Sequence, residues 1–500
     1  VVTTIDAGLQ KMATERLRDA LISEEASFGV AMVMEAATGN ILCMVNLSSG
    51  EERGTNYTER VYNHAMRTAL CPGSTMKLAS AMALLEIGGM DVDSTVEIKG
   101  AAETVGKTRV VDSHNVAREV GSDSVTLRDG FAHSSNIFFA KAVYERFKDD
   151  PKRYTEYLED LLFNDYVGLG EFKEARSRVP HPGTEEWRRH GDNATTLPRL
   201  AFGYIIELPT VHTLTFYNGV ANGGRMVAPR LVDRIERDGE VVKRMPVLTL
   251  KDKMCSAKTL DALYECLAAA AVPERTAWRL KDLPISFGCK TGTAQIWSNF
   301  NTVAKKDYQQ MLDGMTPSID HYYLGSIVTM MPQDKPKYTI MVSVAKQSTP
   351  THPTYFGISL TGSVARDIME YVYDNDPTLH ATLESAETPY GSTAIKSGRS
   401  DAVEHISKRL ANGVELKNDD SEWSIATVNE AGCAVVETRK IEEGVVPNVV
   451  GMGLSDALYL LEHAGLKVTH TGAGRVVSQS IKNGTRINGN IKNIHLYLER

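Results

Sequence analysis

Two blocks of strand-type sequence lie at opposite ends of a long helical stretch, and this limits how the chain can fold more than any other feature. From Phe28, GVAMVMEAATGNILCMV places two apolar runs around the turn residues Ala37-Thr38-Gly39-Asn40, which is the spacing and turn chemistry of a hairpin. After about Leu283 the pattern returns in ISFGCKTGTAQIW, HYYLGSIVTMM and KYTIMVSVAK, and GSVARDIMEYVYD closes the segment as a helix. Between the blocks, roughly Ser74 to Ala271 is mostly helical in period, with STMKLASAMALLEIGG its clearest case and Gly88-Gly89 its stop. Strands so far apart can cover their apolar faces only by meeting. The pattern therefore predicts an α+β fold, one mixed sheet built from distant segments with a helical insertion as a second lobe.

The flanks read differently. Val1 to Ile5 is β-prone, and Asp6 caps an amphipathic helix whose Leu9, Met12, Ala13 and Leu17 share one face, a piece that alone has nothing to pack on. Near Asn375 the chain changes to DNDPTLHATLESAETPYGSTAIKSGRS, poor in large apolar residues, as linkers are. Asp401 to Glu443 carries patterns for a helix and two strands but no motif, and no fold is assigned to it. From about Val445 a compact unit follows: VVPNVVG, a helix with Leu454, Ala457, Leu458, Leu461 and Ala464, then alternating strands through Leu498. No internal repeat is evident. The expected divisions are 1–25, 26–376, 377–443 and 444–500, as 500 residues exceed one core.

Composition removes several function classes. A formal charge of −8 offers no basic excess to displace counterions from a nucleic-acid backbone, so no nucleic-acid partner is expected. The six cysteines are scattered singly with no C-x-x-C pair, so no metal site, redox motif or cofactor is predicted and each reads as a buried apolar thiol. No apolar run reaches membrane-span length. The chain opens at Val1 without Met, which points to a processed or trimmed product whose upstream part would hold a signal or anchor.

Three short clusters carry chemistry. Pro72-Gly73-Ser74-Thr75-Met76-Lys77 sets a serine in the first turn of an apolar helix with a lysine three residues on, on the same face. Serine needs a base, and lysine serves as one only when neutral. Bringing an ordinary lysine from about 10.4 to about 7 costs roughly 4.6 kcal/mol, which requires burial or a second cation nearby. His133-Ser134-Ser135-Asn136 offers a hydroxyl and an amide at alternate positions, though Ser and Asn at a helix start are also simple N-caps. His133 shows no His or carboxylate partner and reads as a packing or surface histidine. Cys289-Lys290-Thr291-Gly292-Thr293-Ala294 lies in a strand pattern, where the glycine suits close approach by a backbone or ligand. Lys290 would supply the second cation, and the Thr291 and Thr293 hydroxyls could donate to a carboxylate. Alone, this stretch is equally an edge strand kept soluble by lysine.

S-x-x-K, S-x-N and K-T-G in this order, at Ser74, Ser134 and Lys290, are the set shared by penicillin-binding proteins and serine β-lactamases. With Ile5-Asp6-Ala7-Gly8-Leu9-Gln10 and GYIIELPTVHTLTFYNGVANGGRMVAPRLV, residues 1 to 376 resemble a class B penicillin-binding protein of the division type. VVPNVVGMGLSDALYLLEHAGLKVTHTGAGRVVSQS and the strands after it resemble a PASTA module, with Ile481 where many such modules have proline. The resemblance implies a mostly antiparallel sheet flanked by helices plus a helical lobe, and makes 1–25 a remnant of an N-terminal pedestal. It implies Ser74 as nucleophile on the D-Ala-D-Ala carbonyl of peptidoglycan stem peptides, Lys77 as base and Ser134 as proton relay. Asn136 would orient Lys77 and substrate, Lys290 and Thr291 would shape the field, Gly292 and Thr293 would help bind substrate, and the N–H groups of Ser74 and Thr293 would form the oxyanion hole. β-Lactam inhibition, a lipid-linked glycan polymerase and division proteins as partners, and a place at the outer face of the cytoplasmic membrane in the cell envelope are implied with it.

Other readings stay open. A β-lactamase of one class needs E-x-x-L-N, and Glu159-Asp160-Leu161-Leu162-Phe163-Asn164 is one residue out of register, which disfavours hydrolysis of antibiotic. A D,D-carboxypeptidase differs only in its acceptor, water instead of amine. A non-catalytic wall-binding or sensor protein is opposed by the intact Ser74, Lys77 and Lys290.

Overall fold

The computed structural model describes residues 1–49, 57, 63–169, 173–272, 275–297, 321–347, 356–380, 396–410, 414–417, 421–428, 434–489 and 491–499. They form two units, Val1–Leu379 and His380–Arg500.

In the first unit the strand blocks meet as expected. The hairpin β1 (Phe28–Glu35) and β2 (Ile41–Ser48) joins β3 (Gly288–Trp297), β4 (His321–Met331) and β5 (Tyr338–Gln347) in one five-stranded sheet of order β3-β4-β5-β1-β2. Every neighbouring pair is antiparallel. β1 lies inside the sheet and is buried on both faces, which is why it reads as one continuous apolar run. Its alternate residues serve different cores. Ala31 and Val33 pack with α1 (Ala7–Glu24) and α4 (Gly357–Asn375), while Val30, Met32 and Met34 face the helical lobe.

α1 thus finds the partner it lacks alone. The Asp6 carboxylate accepts from Leu9 N at 2.8 Å, and Leu9, Ala13, Leu17 and Leu21 are buried in the core with α4. Each leucine contributes about 1.5 to 3 kcal/mol by leaving water.

The helical lobe holds α2 (Lys77–Glu86), whose first eight residues are all buried, and α3 (Asn136–Phe147). Short strands interrupt it: Thr95–Glu97 pairs with Ser124–Thr126, Ala102–Val105 with Thr108–Val111, and Val232–Arg237 with Glu240–Arg244. The sequence expectation of helix across this stretch misses them because strands of three to six residues are too short to show a period.

The second unit gives a fold to the described residues of 401–443, which the sequence leaves unassigned. α5 (Ser400–Leu410) leads into β6 (Val414–Lys417), β7 (Trp423–Val428) and β8 (Ala434–Thr438), with β6 parallel and β7 antiparallel to β8. α6 (Leu454–His463) leads into β9 (Lys467–Gly472), β10 (Arg475–Gln479) and β11 (Asn493–Glu499), with β9 parallel and β10 antiparallel to β11. One topology occurs twice, a repeat the sequence does not display. Trp423 shares a core with Val446, Leu461 and Ile494, and the Arg439 guanidinium donates to Asn448 O and Val450 O, both at 2.8 Å, so the halves are packed together. Residues 381–395 of the expected linker lie outside the described residues.

Candidate active site

Ser74 sits in a single 3-10 turn, Gly73–Met76, that runs into α2 and therefore places Lys77 one turn along on the same side. The turn is pressed against edge strand β3. Gly73 has φ of +57°, and a Cβ there would lie 2.9 Å from Thr293 O, so the position demands glycine on both counts. Gly292 answers from the strand: a Cβ on it would meet Thr75 Cγ2 at 3.0 Å and Pro72 O at 3.2 Å. The close approach expected at this glycine is made by the Ser74 turn itself. Tyr217 holds that turn from behind, its hydroxyl donating to Thr75 O at 2.8 Å.

Lys77 has no exposed surface, and its Nζ lies 2.9 Å from Ser74 Oγ, 2.5 Å from Ser134 O, 2.8 Å from Asn136 Oδ1 and 3.2 Å from Ser134 Oγ. A neutral amine has two hydrogens and one lone pair. It can donate to Ser134 O and Asn136 Oδ1 and still accept the Ser74 O–H. Burial pushes its pKa well below the ordinary lysine value and the charge of Lys290 adds to this, with Asp112 opposing. Lys290, equally enclosed, donates to Ser134 Oγ at 2.8 Å and to Thr291 O at 3.1 Å, and burial pushes its pKa down to about 7. Ser134 Oγ thus lies between the two lysine nitrogens. The structure brings Ser74, Lys77, Ser134, Asn136 and Lys290 together.

Ser134 reaches both lysines through its left-handed backbone, φ +55°, which lets its carbonyl and hydroxyl both serve Lys77. Such a conformation costs a non-glycine residue about 1 to 3 kcal/mol, so neighbouring structure must hold it. Ser135 is the N-cap of α3, accepting from Phe138 N at 3.0 Å, so the capping and functional readings of this cluster apply to different residues. Thr291 and Thr293 are half-buried on β3. Thr293 Oγ1 accepts from Gly357 N at 2.9 Å, and its own proton remains available to donate.

One residue escapes the sequence reading. Asp112, buried, accepts from Ser135 Oγ at 2.6 Å, Asn136 N at 2.5 Å and Ile137 N at 3.1 Å, and so fixes the start of α3. No motif marks it. The expectation that His133 lacks a partner is also corrected: His133 Nδ1 lies 3.0 Å from Glu119 Oε2, and its ring is 5.8 Å from that of His114. The five described cysteines are buried, and Cys289, next to Lys290, has its thiol pushed up to about 12 by burial. Cys433 lies outside the described residues. A cavity of about 670 Å³ elsewhere, lined by Arg178, His181 and Glu186 among others, contains none of these site residues.

Residues 29–370 match the penicillin binding protein transpeptidase domain. The chain belongs to the penicillin-binding protein transpeptidase family. This penicillin-binding protein also carries a match to the PASTA domain at 444–499, the latter half of its second unit. It is 23% identical over 350 residues to penicillin-binding protein PbpB of Mycobacterium tuberculosis, covering 68% of this chain and 47% of the relative. It is 21% identical over 378 residues to the peptidoglycan D,D-transpeptidase FtsI of Buchnera aphidicola, covering 74% and 58%. The chain thus spans about half the length of these relatives. A solved structure of penicillin binding protein 3 from Mycobacterium tuberculosis, complexed with aztreonam, shares the fold with a TM-score of 0.58 at 19% identity, over 75% of this chain and 78% of that one.

Proposed function

We propose that this penicillin-binding protein is a serine acyl-transferring D,D-transpeptidase that crosslinks peptidoglycan stem peptides through a Ser74 acyl-enzyme. The observation that carries the reading is the fully buried Lys77 amine 2.9 Å from Ser74 Oγ, with a second buried amine, Lys290, sharing Ser134 Oγ. In the first half-reaction Ser74 passes its proton to Lys77 while Oγ attacks the carbonyl of the D-Ala-D-Ala bond. The C–N bond then breaks, and the proton moves from Lys77 through Ser134 to the departing D-Ala amine. In the second, the amine of another stem peptide attacks the ester, its proton returns by the same route, and Ser74 is regenerated.

The remaining roles follow from position. Asn136 orients Lys77, Lys290 keeps it short of protons, and Thr291 with Thr293 offers donors to the substrate's terminal carboxylate. The Ser74 and Thr293 N–H groups serve as the oxyanion hole, where loss of one donor typically costs about 10² to 10³ in rate. Gly292 admits the Ser74 turn against the strand. β-Lactams would stop the enzyme as the Ser74 ester. The enzyme would then act at the cell envelope, at the outer face of the cytoplasmic membrane, with a lipid-linked glycan polymerase as the expected partner; a peptidoglycan substrate supports this reading. Among the described residues no helix is long and apolar enough to cross a membrane.

Intact-protein mass spectrometry after penicillin, and after a stem-peptide donor with and without an amine acceptor, tests the reading. One β-lactam adduct per chain, absent in Ser74→Ala, and a crosslinked product that needs the amine are expected. Penicillin labelling that survives Ser74→Ala refutes the nucleophile; release of donor by water alone, with no amine product, makes the enzyme a carboxypeptidase.

A further inference from the structure

Beside the Ser134 loop lies a cluster of donor groups that the proposed reaction does not use. His133 immediately precedes Ser134 and ends the helix Leu127–Ala132, while His114 and Glu119 come from the segment between the strand Thr108–Val111 and the end of the helix Val116–Val120. Glu119 Oε2 lies 3.4 Å from His114 Nε2 and 3.0 Å from His133 Nδ1, and the three donor atoms all fall within 4.8 Å of one another. Ser113 Oγ is 2.9 Å from His114 Nδ1 and fixes that ring with Nε2 turned toward Glu119. Enclosed, His114 Nε2 makes no hydrogen bond. A carboxylate oxygen facing two imidazole nitrogens at once, one of them unbonded, is an arrangement that a shared cation completes.

Two of the three spacings, with the donor set, bear on which cation. Tetrahedral zinc with bonds of about 2.0 to 2.2 Å holds its ligand atoms about 3.3 to 3.6 Å apart. The 3.4 Å edge falls in that range and the 3.0 Å edge is a few tenths short of it. Two imidazoles and one carboxylate are a zinc-type donor set that leaves a fourth position open, whereas calcium and magnesium prefer oxygen alone. The hydrogen-bond partner that a metal-bound histidine needs on its other ring nitrogen is present for His114 in Ser113. Arg275, the nearby competing cation, is turned to Asp129, 3.5 Å away. We propose that His114, Glu119 and His133 form a binding site for one divalent transition-metal ion of the zinc class.

Binding there would tie residues 114–119 to 133, the two segments that Asp112 already joins through Ser135 and Asn136. The ion would thereby hold the left-handed Ser134, one residue from a ligand, without touching substrate. It would be a positioning device outside the reacting groups.

The test uses the full chain, stripped with chelator and titrated with cobalt(II) as a visible-absorbing probe, then with zinc. The expected result is one cobalt per chain with a tetrahedral ligand-field spectrum, displaced by zinc, and a metal-dependent rise in thermal midpoint. His133→Ala and Glu119→Gln are each expected to weaken binding at least tenfold, while His181→Ala, a histidine paired with Glu159 elsewhere, leaves it unchanged. Failure of the wild-type chain to bind either metal overturns the proposal, as does unchanged affinity in both site variants. Should circular dichroism show that His133→Ala does not fold, Glu119→Gln and His114→Ala decide on the same criterion.

Discussion

At the scale of single residues, the site turns on which of two buried amines holds a proton. Lys77 can act as base only when neutral, so acylation is expected to rise with pH as Lys77 loses its proton. Lys290 must stay charged to keep Lys77 short of protons, and with its pKa pushed down to about 7 it loses that charge as pH climbs further. The two requirements run in opposite directions. A bell-shaped profile of penicillin acylation is expected, its falling limb near neutrality, and Lys290→Arg, whose guanidinium stays charged, is expected to move that limb to higher pH. Stopped-flow acylation rates across about pH 5 to 9 check this; an identical falling limb in the variant would detach Lys290 from it. Lys77→Ala is expected to slow acylation by about 10² to 10⁴ with the circular dichroism unchanged, the usual range for general-base help. An unaltered rate would move the base to another group.

At the scale of elements, Asp112 is the pin between a hairpin and a helix. Its carboxylate takes three donors at the start of α3, and Asp112→Ala would leave Ser135 Oγ and two backbone N–H groups without it. A loss of about 3 kcal/mol is expected, read as a lower urea midpoint, together with slower acylation as Ser134 leaves its strained backbone. A variant with wild-type midpoint would show that the helix start holds itself. This residue also marks where the sequence stops being informative. The central strands were legible because β1 carries apolar residues on both faces, and Ser74 with Lys77 because three residues along a helix is a fixed geometry. Asp112, at the end of a hairpin too short to leave a period, meets partners 23 to 25 residues away, and His133 meets Glu119 of the helix Val116–Val120 with no period to announce it. Pairings of that kind are set by packing. The repeat in the second unit is likewise a matter of strand pairing, and shared topology does not require shared side chains.

At the scale of the whole molecule, chemistry and architecture divide unevenly. Every residue of the proposed site lies between Ser74 and Thr293, inside the unit Val1–Leu379, whose sheet and two cores draw on both ends of that segment. The unit His380–Arg500 has a core of its own, centred on Trp423, Val449, Leu461 and Leu496. Separate cores unfold as separate cooperative transitions when little energy links them. Scanning calorimetry of the intact chain is therefore expected to resolve two transitions, and acylation by penicillin to move only the one belonging to Val1–Leu379, since the ester forms within it. A chain ending at Leu379 is expected to lose the unmoved transition and to acylate within about twofold of the full rate, because Ser74, Lys77, Ser134 and Lys290 keep all their mutual contacts. A shift of both transitions on acylation, or a tenfold slower truncated chain, would show instead that the second unit bears on the Ser74 site.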